Sequence, residues 1–378
     1  MNTLKFGNGE WYGKKDTILA YNDENSNFKP LPFSFDRASS ATVVNKQGLI
    51  ETVGSGKPRI DFSNDAKGAL LLEPQTTQIV TYSEDFSNAS WSKSLVTIES
   101  GYLAPDGTLN AFKVSSGGGS LTTNPPTLQT TTRTIYARTV SGTGTAQLLS
   151  HNSNTNNIFT LTEQWQRFDL NASGGTGFST FYAVDFRGSG TLSEVILWGA
   201  NATNDQSYAT SYIPTQGGVV TRVADGCTNG GNEQVINSTE GVFYFEGSAL
   251  SNDNSDRKIT LSDGSLNNAI NFGFSRFSGN INAEVKSGGV LQTSGFGATG
   301  ITQDNNNKFA LSWGGGVSKF YVNGTLASSY TNVTSPIGMN VLNFSLSSGF
   351  HKMFLNTKDL RVYNTALTDQ ELINLTTI

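Results

Sequence analysis

The sequence holds 378 residues with 41 Gly, 9 Pro, 36% hydrophobic and only 15% charged residues, which predicts two or three all-β domains of short strands and many turns. A net charge of −5 without any Lys/Arg stripe argues against nucleic acid as a partner, and no apolar run approaches the ~18 residues of a membrane span. Met1-Asn2-Thr3-Leu4-Lys5-Phe6-Gly7 lacks the apolar core of a signal peptide, so a soluble, cytoplasmically made protein without membrane insertion is expected; the single cysteine, Cys227, permits neither an intrachain disulfide nor a Cys-based metal site.

Residues 1–80 read as hairpins and extended arms punctuated by Gly7-Asn8-Gly9, Tyr21-Asn22-Asp23 and Asn45-Lys46-Gln47-Gly48. Phe6, Trp11, Tyr12, Tyr21, Phe28, Phe33 and Phe35 make this stretch aromatic-rich, either as a small core or as anchors for another chain. Residues 81–225 form one sandwich, with strands expected at 111–114, 134–140, 146–149, 165–170, 181–186 and 192–198. The glycines and small polar residues of 225–232 then read as a flexible joint, overlapping a linker placed at 226–238. A second sandwich follows at 239–378, with strands expected at 241–246, 258–261, 269–274, 308–313 and 319–322. Asn323-Gly324 predicts a type I′ hairpin turn, and Thr368-Asp369-Gln370-Glu371 has capping-box spacing for a short helix over 369–375. Gly117-Gly118-Gly119 and Gly314-Gly315-Gly316 lack the Lys-Ser/Thr of a phosphate loop and read as hairpin tips, and no cofactor is expected.

Three stretches carry a resemblance. Phe35-Asp36-Arg37, Gly48-Leu49-Ile50-Glu51, Pro58-Arg59-Ile60-Asp61-Phe62, Leu70-Leu71-Leu72-Glu73-Pro74 and Thr81-Tyr82-Ser83-Glu84-Asp85-Phe86 follow in the order of a segment that recurs in tailed-phage virion proteins. Thr76-Thr77-Gln78 departs from the Arg-Thr-Asn more usual there, a loss of one arginine that is expected to alter at most one ion pair and leaves the resemblance intact. Leu197-Trp198-Gly199-Ala200-Asn201, Tyr208-Ala209-Thr210-Ser211-Tyr212-Ile213-Pro214-Thr215 and Val220-Thr221-Arg222-Val223-Ala224-Asp225 resemble the end of the carbohydrate-binding-like jelly-roll module that follows this segment. Phe320-Tyr321-Val322-Asn323-Gly324 and the run from Lys358 to Leu372 resemble a concanavalin A-like, laminin-G-like sandwich.

Chemistry is sparse. Glycosidases need two carboxylates about 5–9.5 Å apart. Glu240 and Glu246 lie six residues apart, ~20 Å along a strand. Glu84-Asp85 reads as a cap or turn, and spacing leaves open a site built from carboxylates on separate strands or adjacent subunits, such as Asp185 with Glu194. His151 and His351 are 200 positions apart in different expected domains, which argues against a triad or a histidine metal site. Ser262-Asp263-Gly264-Ser265 and Ser251-Asn252-Asp253-Asn254 fit plain turns better than Ca²⁺ loops. Trp165, Trp198 and Trp313 are expected in the core, with Trp11 and Trp91 unassigned. No catalytic or metal-ligating residue is singled out and no ligand-binding residue is chosen.

The resemblances imply a virion fibre, appendage or capsid decoration whose residues 1–80 anchor to other virion proteins. The aromatic-rich start adds the expectation of a homo-oligomer, a trimer or dimer, and the sandwiches imply binding to host-surface glycans without catalysis. A decoration protein with no external ligand and a polysaccharide depolymerase are the alternatives.

Overall fold

The computed structural model describes residues 3–6, 11, 13–14, 17–22, 27–31, 33–126, 131–152, 157–173, 179–277 and 279–378. Every strand pairing among them is antiparallel, and the one α-helix closes the chain at Asp369–Thr376. The chain folds into two compact units, both discontinuous: Met1–Ala38, Val53–Pro74 and Ala224–Ile378 form the first, Ser39–Thr52 and Gln75–Val223 the second.

The first unit is a β-sandwich. In its larger sheet the strands Thr325–Thr331, Val317–Val322, Asn307–Gly314, Gly241–Ala249 and Leu355–Tyr363 lie side by side. The free edge of Leu355–Tyr363 is shared: Thr3–Phe6 pairs with its last four residues and Ala69–Leu72 with its first three. The facing sheet runs Val341–Asn343, Arg257–Ser262, Ala269–Phe274, Ile281–Ser287 and Val290–Leu291. Alternation decides what meets between them: Phe243, Phe245, Phe309, Leu311 and Phe320 face Ile259, Leu261, Ile270, Phe272 and Phe274, all unexposed. Phe243 and Phe272 meet at a ring-centroid distance of 4.6 Å. Each such ring removes about 1.5–3 kcal/mol worth of apolar surface from water. Val242, Tyr244, Ala310 and Tyr321 point the other way and are covered by Leu372 of the helix.

In the second unit, Ser92–Tyr102, Ala111–Thr123, Glu194–Thr203, Thr131–Arg138 and Gln166–Ser173 form the main sheet, with Phe181–Asp185 added beside Ala111–Thr123. Glu194–Thr203 is buried along nearly its whole length because both faces are covered: Val195 and Leu197 join one cluster, Ile196 and Trp198 another.

Several expectations change. Residues 226–228 are no linker: they pair with Ser34–Asp36 and bury Cys227 among apolar side chains, where desolvation pushes its thiol pKa well up. Gly230 then exchanges backbone hydrogen bonds with Leu342, so the expected joint is tied to the sheet at that point. Residues 1–80 are not a separate region either, since Trp11 and Phe33 belong to the first unit's core and residues 39–52 and 75–80 to the second unit. Gly7-Asn8-Gly9, Tyr12 and Asp23, and the side chains of Phe6, Tyr21 and Phe28, lie outside what is described. Gly117–Gly119 is not a hairpin tip but lies inside a strand, opposite a bulge at Leu95 whose φ is +48°. A Cβ on Gly119 would fall 1.9 Å from the Ser94 carbonyl oxygen, so the glycines permit a backbone approach rather than a turn. Gly314–Gly316 does form a hairpin tip, with three positive φ values.

A buried ionic cluster stands in the first unit. Arg59 pairs with Glu73 at 2.5 Å and with Asp225, Arg37 pairs with Asp225 at 2.8 Å, and none of the four residues is more than 5% exposed. Arg37 also donates to the carbonyls of Gly54 (2.6 Å) and Lys57 (3.3 Å), and the Glu73 N–H donates to Asp225 at 2.8 Å. The four places where the chain leaves or re-enters this unit follow Ala38 and Pro74 and precede Val53 and Ala224, each one or two residues from the cluster or its carbonyl partners.

Candidate functional site

The second unit holds an open pocket of about 640 Å³ lined by Glu84, Asp85, Ser100, Leu109, Asn110, Phe112, Pro214, Thr215 and Gln216, a volume in the range of small-molecule sites. Its floor is set by packing. Phe86 and Trp91, 4.8 Å apart and essentially unexposed, pin the segment that carries Glu84 and Asp85. Asp85 accepts from the Ser87 N–H at 3.0 Å and from its hydroxyl, so it serves as the turn residue expected. Glu84 is left facing the pocket.

Two relays of neutral donors end on Glu84. On one side Thr215 N–H donates to Ser83 Oγ (2.8 Å), Ser83 lies 2.7 Å from the Tyr212 hydroxyl, and Tyr212 donates to Glu84 Oε1 (2.8 Å). On the other, Trp198 Nε1 donates to Asn110 Oδ1 (2.8 Å) and Asn110 Nδ2 to Glu84 Oε2 (2.9 Å). The indole fixes which way the Asn110 amide points, since an N–H requires an acceptor. Burial raises the Glu84 pKa and Asp106 adds to the effect, while the Tyr212 and Asn110 donors pull it down. Burial, with the Glu84 charge beside it, holds the Tyr212 phenol well above its usual value, so it is a donor at any physiological pH. Each Glu84 oxygen uses one acceptor site on these donors, and a carboxylate has about four. Beside this polar floor, Leu109 is 69% exposed and Pro214 exposed, giving an apolar wall at the rim.

The other residues weighed in the sequence have structural work. Glu246 accepts from the Tyr244 hydroxyl (3.0 Å) and Asn306 (3.0 Å), and Glu240 from the Ala366 N–H at 3.4 Å. Asp185 is occupied by Arg187 and by the Asn152 N–H. Asp185 pairs opposite Ser120 and Glu194 opposite Ser115 on one strand, which separates them by ~16 Å at ~3.3 Å per residue. His151 stacks edge-on to Tyr182, and His351 lies 3.8 Å from Asp256. Asp263 accepts from both the N–H and the hydroxyl of Ser265, and Asp253 pairs with Arg257, as turn residues do. Among the described residues no three His, Cys, Asp or Glu side chains gather as a metal site. Trp198 and Trp313 are core residues, and so are Trp11 and Trp91; Trp165 is instead half-buried, under the Arg138 guanidinium. At the departure from the phage pattern, Gln78 is fully buried, donating to the Ala200 carbonyl (2.9 Å) and accepting from the Ala202 N–H (2.8 Å).

The local sequence around Glu84 points only to a cap or turn, because its partners come from 26 to 128 positions away. The signal was nonetheless present. Tyr82-Ser83-Glu84-Asp85-Phe86 and Tyr212-Ile213-Pro214-Thr215 stand in two separate resembling stretches, and the fold brings both to one pocket.

No protein-family model matches the sequence, and no curated protein matches it significantly. Among solved structures, the chain is similar to the CBM40 of an IT-sialidase from Ruminococcus gnavus: 16% identity, 39% of this chain, 93% of that one, TM-score 0.32. Domain 4 of AbnA, a GH43 extracellular arabinanase from Geobacillus stearothermophilus solved with arabinotriose, shares 17% identity over 46% of this chain and 84% of its own, with a TM-score of 0.33. The galectin LEC-6 of Caenorhabditis elegans shares 17% identity over 33% of this chain and 83% of its own, with a TM-score of 0.26.

Proposed function

We propose that this is a glycan-binding β-sandwich protein with no hydrolytic role, and that its ligand sits in the Glu84 pocket. The observation that supports the reading is the convergence of Glu84 and Asn110, both held from behind by fixed donors, beside the exposed Leu109 and Pro214. Sugars present hydroxyls and an apolar C–H face together, and a pocket with pre-oriented acceptors next to an apolar wall meets both. More particularly, we place the protein on a tailed-phage particle as an appendage or capsid decoration that works in several copies against the host surface. What supports the virion placement is the recurring segment from Phe35 to Phe86, together with the stretches between Leu197 and Asp225 that resemble the module following it.

Asn110→Ala and Leu109→Asp should each weaken binding of the full chain to its glycans by about tenfold, read by calorimetry after a glycan-array screen. Unchanged affinity in both would remove the pocket from the reading. Incubation with host polysaccharide should release no new reducing ends; steady release abolished by one Asp→Asn or Glu→Gln change would make the protein a depolymerase. Incorporation into particles, with a trimer or dimer in solution, tests the virion role, and a monomer that particles exclude would refute it.

A further inference from the structure

We infer that the Glu84 pocket takes glycans carrying a free amino group and rejects glycans carrying a carboxylate. This rests on the glycan-binding reading and goes further, because it assigns the chemical class. The pocket lining contains two carboxylates, Glu84 and Asp85, and no Lys, Arg or His. A third, Asp106, acts electrostatically on Glu84. Both donors to Glu84 are neutral, a phenol and an amide, so its charge meets no counter-ion in the pocket. The nearby Lys93 ammonium is already held by the carbonyls of Ser87, Asn88 and Trp91 at 2.6–3.0 Å. An ammonium on a sugar ring would take up the unused acceptor sites of Glu84 as a charge-assisted hydrogen bond, about twice as strong as one from a hydroxyl. A carboxylate-bearing sugar would bring a like charge against the same carboxylates, which is discrimination by repulsion.

The test uses the full chain at neutral pH and low salt, titrated calorimetrically with a glucosamine tetramer, its fully N-acetylated counterpart and sialyllactose. The amine should bind about tenfold tighter than the N-acetyl form, and sialyllactose not measurably. In Glu84→Gln the ratio of the two affinities should fall toward one. Asp106→Asn, at a residue outside the lining whose turn contacts an amide oxygen can keep, should lower the ratio about threefold. Thermal unfolding checks that both variants fold. The groups that act on Glu84 are Tyr212, Asn110 and Asp106, so the preference should also fade as pH falls through the raised Glu84 pKa, where the carboxyl loses the charge that selects the amine. Equal binding of the two tetramers, a preference that survives Glu84→Gln, or tighter binding of sialyllactose would overturn the inference while leaving glycan binding intact. If none of the three binds and a broad glycan array is also silent, the underlying reading fails too.

Discussion

Asp225 accepts from two arginines and one backbone N–H at a site nearly closed to water. Replacing one partner of such a set leaves uncompensated charge in a medium where Coulomb forces are poorly screened, so Asp225→Asn should cost about 3–5 kcal/mol. Calorimetry should show it as a lower melting temperature, and an unchanged melt would mean the arginines find other partners. Gly119→Ala should cost about 3 kcal/mol through a different physics, a steric clash with the Ser94 carbonyl that only a shift of the strand can relieve. At this scale the sequence was uneven. Arg37, Arg59, Glu73 and Asp225 all stand in the stretches singled out by resemblance, yet nothing in their spacing, from 14 to 188 positions, announces that they meet. Gly117–Gly119 departs from the expected hairpin tip because a triple glycine serves equally for a tip and for a close approach, and only the partner strand distinguishes them.

The elements whose causes are local were the legible ones. Ala269–Phe274 is a strand over the residues expected. Asn323 and Gly324 take φ values of +48° and +80°, the left-handed conformation that an I′ turn demands of both positions. The terminal helix has its full capping box: the Glu371 N–H donates to Thr368 Oγ1 at 3.3 Å while the Thr368 N–H donates to Glu371 Oε2 at 2.8 Å. Thr368→Ala should therefore cost about 1 kcal/mol. Leu372→Ala, in the unexposed contact between helix and sheet, should cost about 2–5 kcal/mol, and hydrogen exchange over the helix should separate the two variants by that order. Equal effects would place the helix's stability in its cap rather than in its packing. The pocket escaped notice for the opposite reason: its floor and walls are joined by hydrogen bonds between elements, and periodicity carries no information about those.

At the scale of the whole molecule, composition was enough for an all-β chain of more than one domain, but the order of residues misled on where domains begin. Both units are sewn from separated segments, and a hydrophobic pattern read along the chain cannot report that Thr3–Phe6 completes a sheet with Leu355–Tyr363. Removing residues 1–35 should accordingly do more than detach an anchor. It strips the paired edge of Leu355–Tyr363 and removes Trp11 and Phe33 from the core, so the shortened protein should unfold at lower temperature and aggregate through an exposed strand edge, as size-exclusion chromatography would show. A soluble, equally stable product would count against the shared edge. That edge also sets a timetable for the ribosome. The last segment of the second unit is complete by Val223, whereas the larger sheet of the first waits for residues 355–363. For well over a hundred residues of synthesis the nascent chain must therefore carry Thr3–Phe6 and Ala69–Leu72 without the strand they will share, so segments made before the second unit find their place only after it is complete.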